Sequence, residues 1–393
     1  MTQSTTKIDD DLQAATAAFN RGDARAARDL YLRLIEGGRA DARVLLGAAQ
    51  ACRQLGDQQG LAATADRLLA LEPGNLRGLI LKADSLAAAG DGRSASAFYQ
   101  TAVRAAPPVE QLPADLLQEL RRAQQMCEKY AVQYKLWLRD RLVGKGFDPA
   151  RSSARFARSF DIALGNRQIY VQQPRYYYFP ELPQIQFYER ADFPWFDEVE
   201  AATDAITAEL LEVMREPGSF APYVEGDANR PRREHLGMLG NPEWSAFYLR
   251  RNGADVPANA ARCPATMHAL RNVPLAVVPQ RSPSVLFSLL RPGAHIPPHN
   301  GLVNTRLICH LPLIVPPGCT FRVGNDEREW RRGKGWLFDD TIEHEAWNRS
   351  AETRVILLFD VWRPELTLEE RDLVIALFEA IDAYSGKSPQ WEI

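Results

Sequence analysis

Gly-Asp recurs at one interval in the first hundred residues. Gly22-Asp23, Gly56-Asp57 and Gly90-Asp91 are each 34 residues apart, and Pro73 and Pro107 repeat at the same distance. After each Gly-Asp comes an alanine-rich amphipathic run, such as "ARAARDLYLRLIE" and "GRSASAFYQTAVRAAP". A unit of this length cannot bury an apolar face by itself, so successive units must stack. Small residues such as Ala27 and Ala95 let paired helices approach closely, and Gly-Asp marks the turn between the two helices of a pair.

The pattern resembles a tetratricopeptide array of about three units over residues 8–108. Such an array binds a peptide or protein partner, or packs on its neighbour, and does no chemistry itself. Residues 109–169 continue as helix and are expected to cap the array and link it onward. Composition then changes: "YVQQPRYYYFPELPQIQFYERADFPWF" is rich in aromatics and proline, which suits extended segments and turns. From residue 170 onward one stretch, 196–215, has the pattern of an amphipathic helix. The rest is short apolar runs between turn signals, the signature of a barrel or jelly roll. A last helix is expected from "TLEERDLVIALFEAIDAY", where Thr367 and Glu370 have the spacing of a capping box.

Composition narrows the function classes. With 46% hydrophobic and 25% charged residues the chain can bury a sizeable core, and a formal charge of −3 gives no general attraction to nucleic acid. The basic clusters "NRPRREH" and "REWRRGK" are short and mixed with acids; they read as solvated faces or local anion sites. No run approaches the roughly 18 apolar residues of a membrane span, so none is expected. The five cysteines are scattered without paired spacing, which points to a reduced, cytoplasmic setting.

The six histidines are absent from the first 234 residues, and three of them fall in "HIPPHNGLVNTRLICHLPLIVPPGC". His295 and His299 have the i, i+4 spacing of a helical zinc pair, but Pro297 and Pro298 disfavour helix there. His299 is instead expected on a turn just before a strand, and His344 just after the strand "GWLF". Two histidines from different strands of a jelly roll can converge on one metal, and imidazole suits ferrous iron. Alternation along "TRVILLFDVW" puts Arg354, Ile356 and Leu358 on one face, and along "TRLICHLPL" it puts Arg306, Ile308 and His310 on one face. An inward arginine needs an anionic partner, which the carboxylate of 2-oxoglutarate could supply through a bidentate fork.

"HNGLVNTRLICHLPL", "EREWRRGKGWLFDDTIEHEAWN" and "TRVILLFDVWRPEL" together resemble the aspartyl/asparaginyl β-hydroxylase family of iron(II), 2-oxoglutarate-dependent oxygenases, over roughly residues 170–366. The resemblance implies a double-stranded β-helix across residues 170–393 with its C-terminal helix. It implies His299 and His344 as the only protein ligands of iron, with Gly301 where related oxygenases carry a carboxylate. It also implies that Trp244, Ser288, His310 and Arg354 surround 2-oxoglutarate, with O2 as the other co-substrate.

Two departures from the family stand out. Ile308 replaces an arginine found in more studied members, and Arg306 on the same face is the candidate to replace that contact. Only Cys263 stands where secretory-pathway members carry a cysteine pair. Asp339 and Asp340 read as turn or hydrogen-bond acceptors near His344; Trp330, Trp336, Trp347 and Trp362 as barrel core or rim; and Cys309 as packing. The expected activity is hydroxylation of Asp or Asn side chains in a peptide or protein, yielding succinate and CO2. The alternatives are hydroxylation of a small molecule or lipid acyl chain on the same fold, and a non-catalytic repeat-based scaffold.

Overall fold

The computed structural model describes residues 2–224 and 237–385 and divides into two compact units, Met1–Ala157 and Arg158–Ile393. The cluster "NRPRREH" lies outside the described residues.

The first unit is helical. Its helices are α1 (Thr2–Asn20), α2 (Ala24–Glu36), α3 (Ala42–Leu55), α4 (Gln58–Leu71), α5 (Leu76–Ala88), α6 (Gly92–Ala105) and the long α7 (Ala114–Val143). The recurring Gly-Asp has a local explanation. Gly22, Gly56 and Gly90 hold φ of +80°, +71° and +82°, a left-handed conformation that ends one helix and that glycine adopts without steric cost. The following Asp23, Asp57 and Asp91 then cap the next helix, each side chain accepting the backbone N–H three residues on. One dipeptide therefore stops a helix and starts another, which is why it repeats with the period of the unit. Ala27 and Ala95 are fully buried at the helix contacts, as their size requires.

The second unit opens on α8 (Ala154–Ala163), which straddles the boundary between the units; α9 (Phe196–Ala201) and α10 (Thr203–Met214) follow. The stretch expected as one helix at 196–215 is thus two, meeting at Ala202. The strands are β1 (Phe187–Tyr188), β2 (Ala221–Pro222), β3 (Trp244–Arg251), β4 (Ala254–Asp255), β5 (Val285–Leu290), β6 (His295–His299), β7 (Arg306–Ile314), β8 (Cys319–Val323), β9 (Asp326–Glu329), β10 (Trp336–Phe338), β11 (His344–Asn348) and β12 (Arg354–Trp362). Two short helices, α11 (Pro257–Ala260) and α12 (Pro264–Ala269), lie between β4 and β5, and α13 (Leu368–Ser385) ends the described chain. Thr367 and Glu370 form the expected reciprocal cap of α13.

The strands make two antiparallel sheets, one ordered β1-β10-β7-β12-β5-β3-β2 with β4 beside β3, the other β6-β11-β8-β9. This is the double-stranded β-helix. Alternation along the central strands sorts side chains between two cores. Phe287, Cys309, Leu311, Leu357 and Phe359 face outward and pack with Phe196, Ile206 and Leu210. Leu286, Ile308, Ile356 and Leu358 face Phe321, Val323, Ile296 and Ala346 of the smaller sheet. β12 is buried along its whole length because both of its faces are covered. The candidate site lies in the inner layer, between the sheets.

Candidate functional site

The two histidines meet across one ladder: His299, the last residue of β6, lies directly opposite His344, the first residue of β11. The expectation that His299 precedes a strand is corrected here. β6 tolerates Pro297 and Pro298 because it is the edge of its sheet and because its register with β11 shifts between His344 and Ala346, so neither proline has a partner in the ladder. The imidazole centroids are 4.1 Å apart. Each Nδ1 faces a carbonyl two residues earlier, that of Pro297 at 2.8 Å and that of Ile342 at 3.1 Å. A carbonyl only accepts, so Nδ1 carries the proton and Nε2 keeps its lone pair. Burial holds both imidazoles below the ordinary histidine range, so they are neutral, the form that binds metal.

A cavity of ≈ 110 Å³ opens between the sheets at this pair, room for several water-sized groups. The predicted residues His299, His344, Arg354, His310, Ser288, Trp244 and Arg306 all line it. Arg354 is 1% exposed; its Nη1 donates to the Ser288 carbonyl at 3.1 Å, and its Nε has no hydrogen-bond partner. Among the described residues no carboxylate lies within ion-pair distance of it, and burial pushes its pKa down to about 10. Trp330 stands under the guanidinium, 4.8 Å from it, with its own indole N–H unpaired. His310 is buried beside Phe321 and Phe338 with Nδ1 unpaired, and burial, with Arg354 nearby, holds it well below its ordinary pKa. Trp244 donates from Nε1 to Ser288 Oγ at 3.2 Å, which ties two of the expected residues together.

This end of the cavity therefore offers one buried cation without a counter-ion and several donors without acceptors. A small carboxylate has the charge for which this guanidinium lacks a partner. The two Nε2 lone pairs nearby, on neutral imidazoles, suit a borderline divalent metal such as iron(II). Among the described residues no third histidine, cysteine or carboxylate joins the pair in a ligand cluster.

Arg306 is in the cavity, but it is not placed to act beside Arg354. It pairs with Trp362, at the opposite end of β12, and its guanidinium donates to Asp360 and Asp340. Its charge is already met, and Ile308 contributes only apolar wall. Asp360 was missed by the sequence reading although the same alternation that places Arg354, Ile356 and Leu358 extends two residues further to it. Tyr223 and Ser284 also line the cavity and carried no sequence signal.

Asp339 and Asp340 separate into two roles. Asp339 is fully buried and bonds to Thr341, Gln172 and Arg363, holding the turn that precedes His344. Asp340 faces the cavity, and burial pushes its carboxyl up to about 7. Gly301 explains itself against Asp340: a Cβ there would fall 2.1 Å from Asp340 Oδ2. Asp340 occupies the space into which a side chain at 301 would project. His295 points to the other face of its sheet, stacked on Trp347 and bonded to Glu345, and is not part of the site.

Comparison with known proteins follows the same lines. Residues 200–364 match the family described as Aspartyl/Asparaginyl beta-hydroxylase. The ornithine lipid ester-linked acyl 2-hydroxylase of Rhizobium tropici is 33% identical over 180 residues, 45% of this chain and 60% of that protein. The human aspartyl/asparaginyl beta-hydroxylase is 32% identical over 182 residues, 45% of this chain and 24% of that protein. The aspartate beta-hydroxylase domain-containing protein 2 of Xenopus tropicalis is 29% identical and spans 57% of that protein. Thus the chain covers less than two thirds of each of these relatives. Among solved structures, the TPR2B domain of yeast Sti1 in a pHsp70 complex covers 33% of this chain and 98% of that one, at 21% identity and TM-score 0.28. The secretion chaperone SycD of Yersinia enterocolitica covers 33% and 88%, at 14% identity and TM-score 0.30.

Proposed function

Taking residues 200–364 as an aspartyl/asparaginyl beta-hydroxylase domain, we propose that this chain is a hydroxylase dependent on iron(II) and 2-oxoglutarate. The observation that carries the reading is the pairing of two neutral, facing imidazoles with a buried arginine that has no counter-ion among the described residues, in one cavity. Bound iron(II) would supply the centre at which O2 is the oxidant, one oxygen atom going to the C–H bond and the other to the succinate formed with CO2 from 2-oxoglutarate.

The chain's own residues bind, orient and exclude water. His299 and His344 would hold the metal through Nε2, each fixed in rotation by its Nδ1–H bond to a backbone carbonyl. Arg354 would take a carboxylate of 2-oxoglutarate as a charge-assisted anchor, with Ser288, His310 and Trp244 around it. None of these acts as acid or base. Phe321, Phe338, Ile308 and Trp330 wall the cavity with apolar surface, which keeps bulk water from the oxidant.

The prime substrate is a C–H-bearing group of a peptide side chain, a small molecule or a lipid acyl chain. The names of the relatives span the first and last of these. The repeat unit would serve as a docking surface for a protein partner, and no helix among the described residues is long and apolar enough to cross a membrane. The test is succinate release from 2-oxoglutarate by the purified chain, with and without iron(II). Iron-dependent succinate supports the reading, and its absence at full iron loading makes the domain a non-catalytic scaffold.

A further inference from the structure

β12 carries two charged side chains on its cavity face, and their surroundings differ. Among the described residues Arg354 has no counter-ion, whereas Asp360, six residues on and about 20 Å away along an extended strand, belongs to a second charged group. There Arg306 donates to Asp360 and, at 3.4 Å, to Asp340 Oδ2, and the Ser284 N–H reaches Asp360 Oδ2 at 3.1 Å. The Oδ1 atom of each carboxylate is buried and, among the described residues, accepts no hydrogen bond. Both residues line the cavity, at 1% and 5% exposure for Asp360 and Asp340.

Charge and hydrogen bonding agree on what is missing. Among the described residues two carboxyl groups face one guanidinium; burial pushes Asp340 up to about 7, so a cation placed beside it would ionise it and leave one negative charge for that cation to meet. Of the other cations described around the cavity, Arg281 is bonded to Asp382 at 2.5 Å, Arg251 stacks over Tyr248, and Arg354 lies at the far end of the strand. A buried acceptor calls for a donor, and a buried excess charge calls for its opposite. On the hydroxylase reading above, the geometry points to a primary ammonium group on the prime substrate, held by Asp360 Oδ1 and Asp340 Oδ1. An ammonium has three donors and no acceptor, so it satisfies both orphan oxygens and cancels the charge. An amide would satisfy the oxygens and leave the charge, and a carboxylate would do neither.

The test uses the full chain without metal, so that an amine has nothing else to ligate. n-Pentylamine and 1-pentanol share one chain length and differ in the head group; their affinities are compared by calorimetric titration. Pentylamine is expected to bind at least tenfold more tightly than pentanol, and Asp360→Asn to abolish that preference. Should Asp360→Asn fail to fold, Asp340→Asn carries the same expectation. If both fail, the wild-type comparison decides alone. Nα-acetyl-lysine amide and dihexanoyl phosphatidylethanolamine, titrated in parallel, distinguish an amino-acid side chain from a lipid head group as the carrier. 1-Pentanol binding as tightly as pentylamine, or an amine preference that survives in both variants, overturns the proposal. Because the titration needs neither iron nor 2-oxoglutarate, its failure leaves the succinate assay untouched, and the reverse also holds.

Discussion

Gly301 and Asp340 share one space: a Cβ on the glycine would stand 2.1 Å from the aspartate's Oδ2. Gly301 is therefore a glycine for reasons of close approach, because its φ is not in the left-handed region. Gly301→Ala must push Asp340 aside in a buried layer, which costs about 1–3 kcal/mol as overpacking does elsewhere. Gly301→Asp adds a like charge to the clash, so it should lower stability without tightening iron. Urea unfolding checks the first expectation. A double-mutant cycle with Asp340→Ala, in which the cost of Gly301→Ala largely disappears, checks that Asp340 is the obstacle.

His299→Ala and His344→Ala should each abolish iron binding while the fold persists. Either change leaves one imidazole, and the facing partner loses its chelating mate. Iron stoichiometry after desalting, alongside far-UV circular dichroism, reads both halves of the expectation. Full iron occupancy in either variant would remove the pair from the metal site.

Arg354→Met should weaken 2-oxoglutarate by roughly ten- to hundredfold, the equivalent of about 1.5–3 kcal/mol for a charge-assisted bond, and iron far less. A second consequence follows from its burial without a counter-ion. Removing that cation should leave the co-substrate-free protein at least as stable as wild type, because an unpaired buried charge is itself a cost. A large loss of stability would mean that Arg354 holds the fold rather than the ligand.

The reach of sequence reasoning here follows from what is local. The Gly-Asp repeat was legible because one residue ends a helix and the next caps another, all within a few positions. Arg354 and His310 were legible because period-two alternation assigns a face without knowledge of the neighbouring strand. The fate of Arg306 was not, since its partners come from β12 and from the turn before β11, 54 and 34 residues away. The same distance hid the function of Gly301: its neighbour in space is 39 positions along the chain. The proline pair in β6 misled for a different reason, because tolerance of proline depends on whether a strand is at the edge, which only the sheet order decides.

Acid sensitivity of the metal-free protein has a defined sign. Burial holds His299, His310 and His344 below their ordinary pKa, so on acidification the unfolded chain takes up protons that the folded chain refuses. Their contribution to stability is present above the unfolded value, near 6.5, and is lost as pH falls below it. Unfolding free energy measured from pH 7.5 to 5 should decline below about pH 6.5, and His310→Phe should make the decline shallower. An identical profile in that variant would remove His310 from the account.

Arg363 and Asp339 form the most deeply buried ion pair described, at 2.8 Å with both side chains fully covered. Asp339 also accepts from Gln172, Thr341 N–H and Thr341 Oγ, so its carboxylate holds the turn that leads into His344 as well as the segment before β1. Removing the cation alone leaves that carboxylate buried with hydrogen bonds but no counter-charge, and breaking such a pair costs about 3–5 kcal/mol. Arg363→Met should therefore be among the most destabilising single changes in this unit. Asp339→Asn should cost less than Arg363→Met in the wild-type background, and should recover part of the loss when combined with it, because the neutral amide keeps acceptor capacity without the charge. If instead the two losses simply add in the double variant, the pair is not coupled and the turn before His344 is held by hydrogen bonds alone.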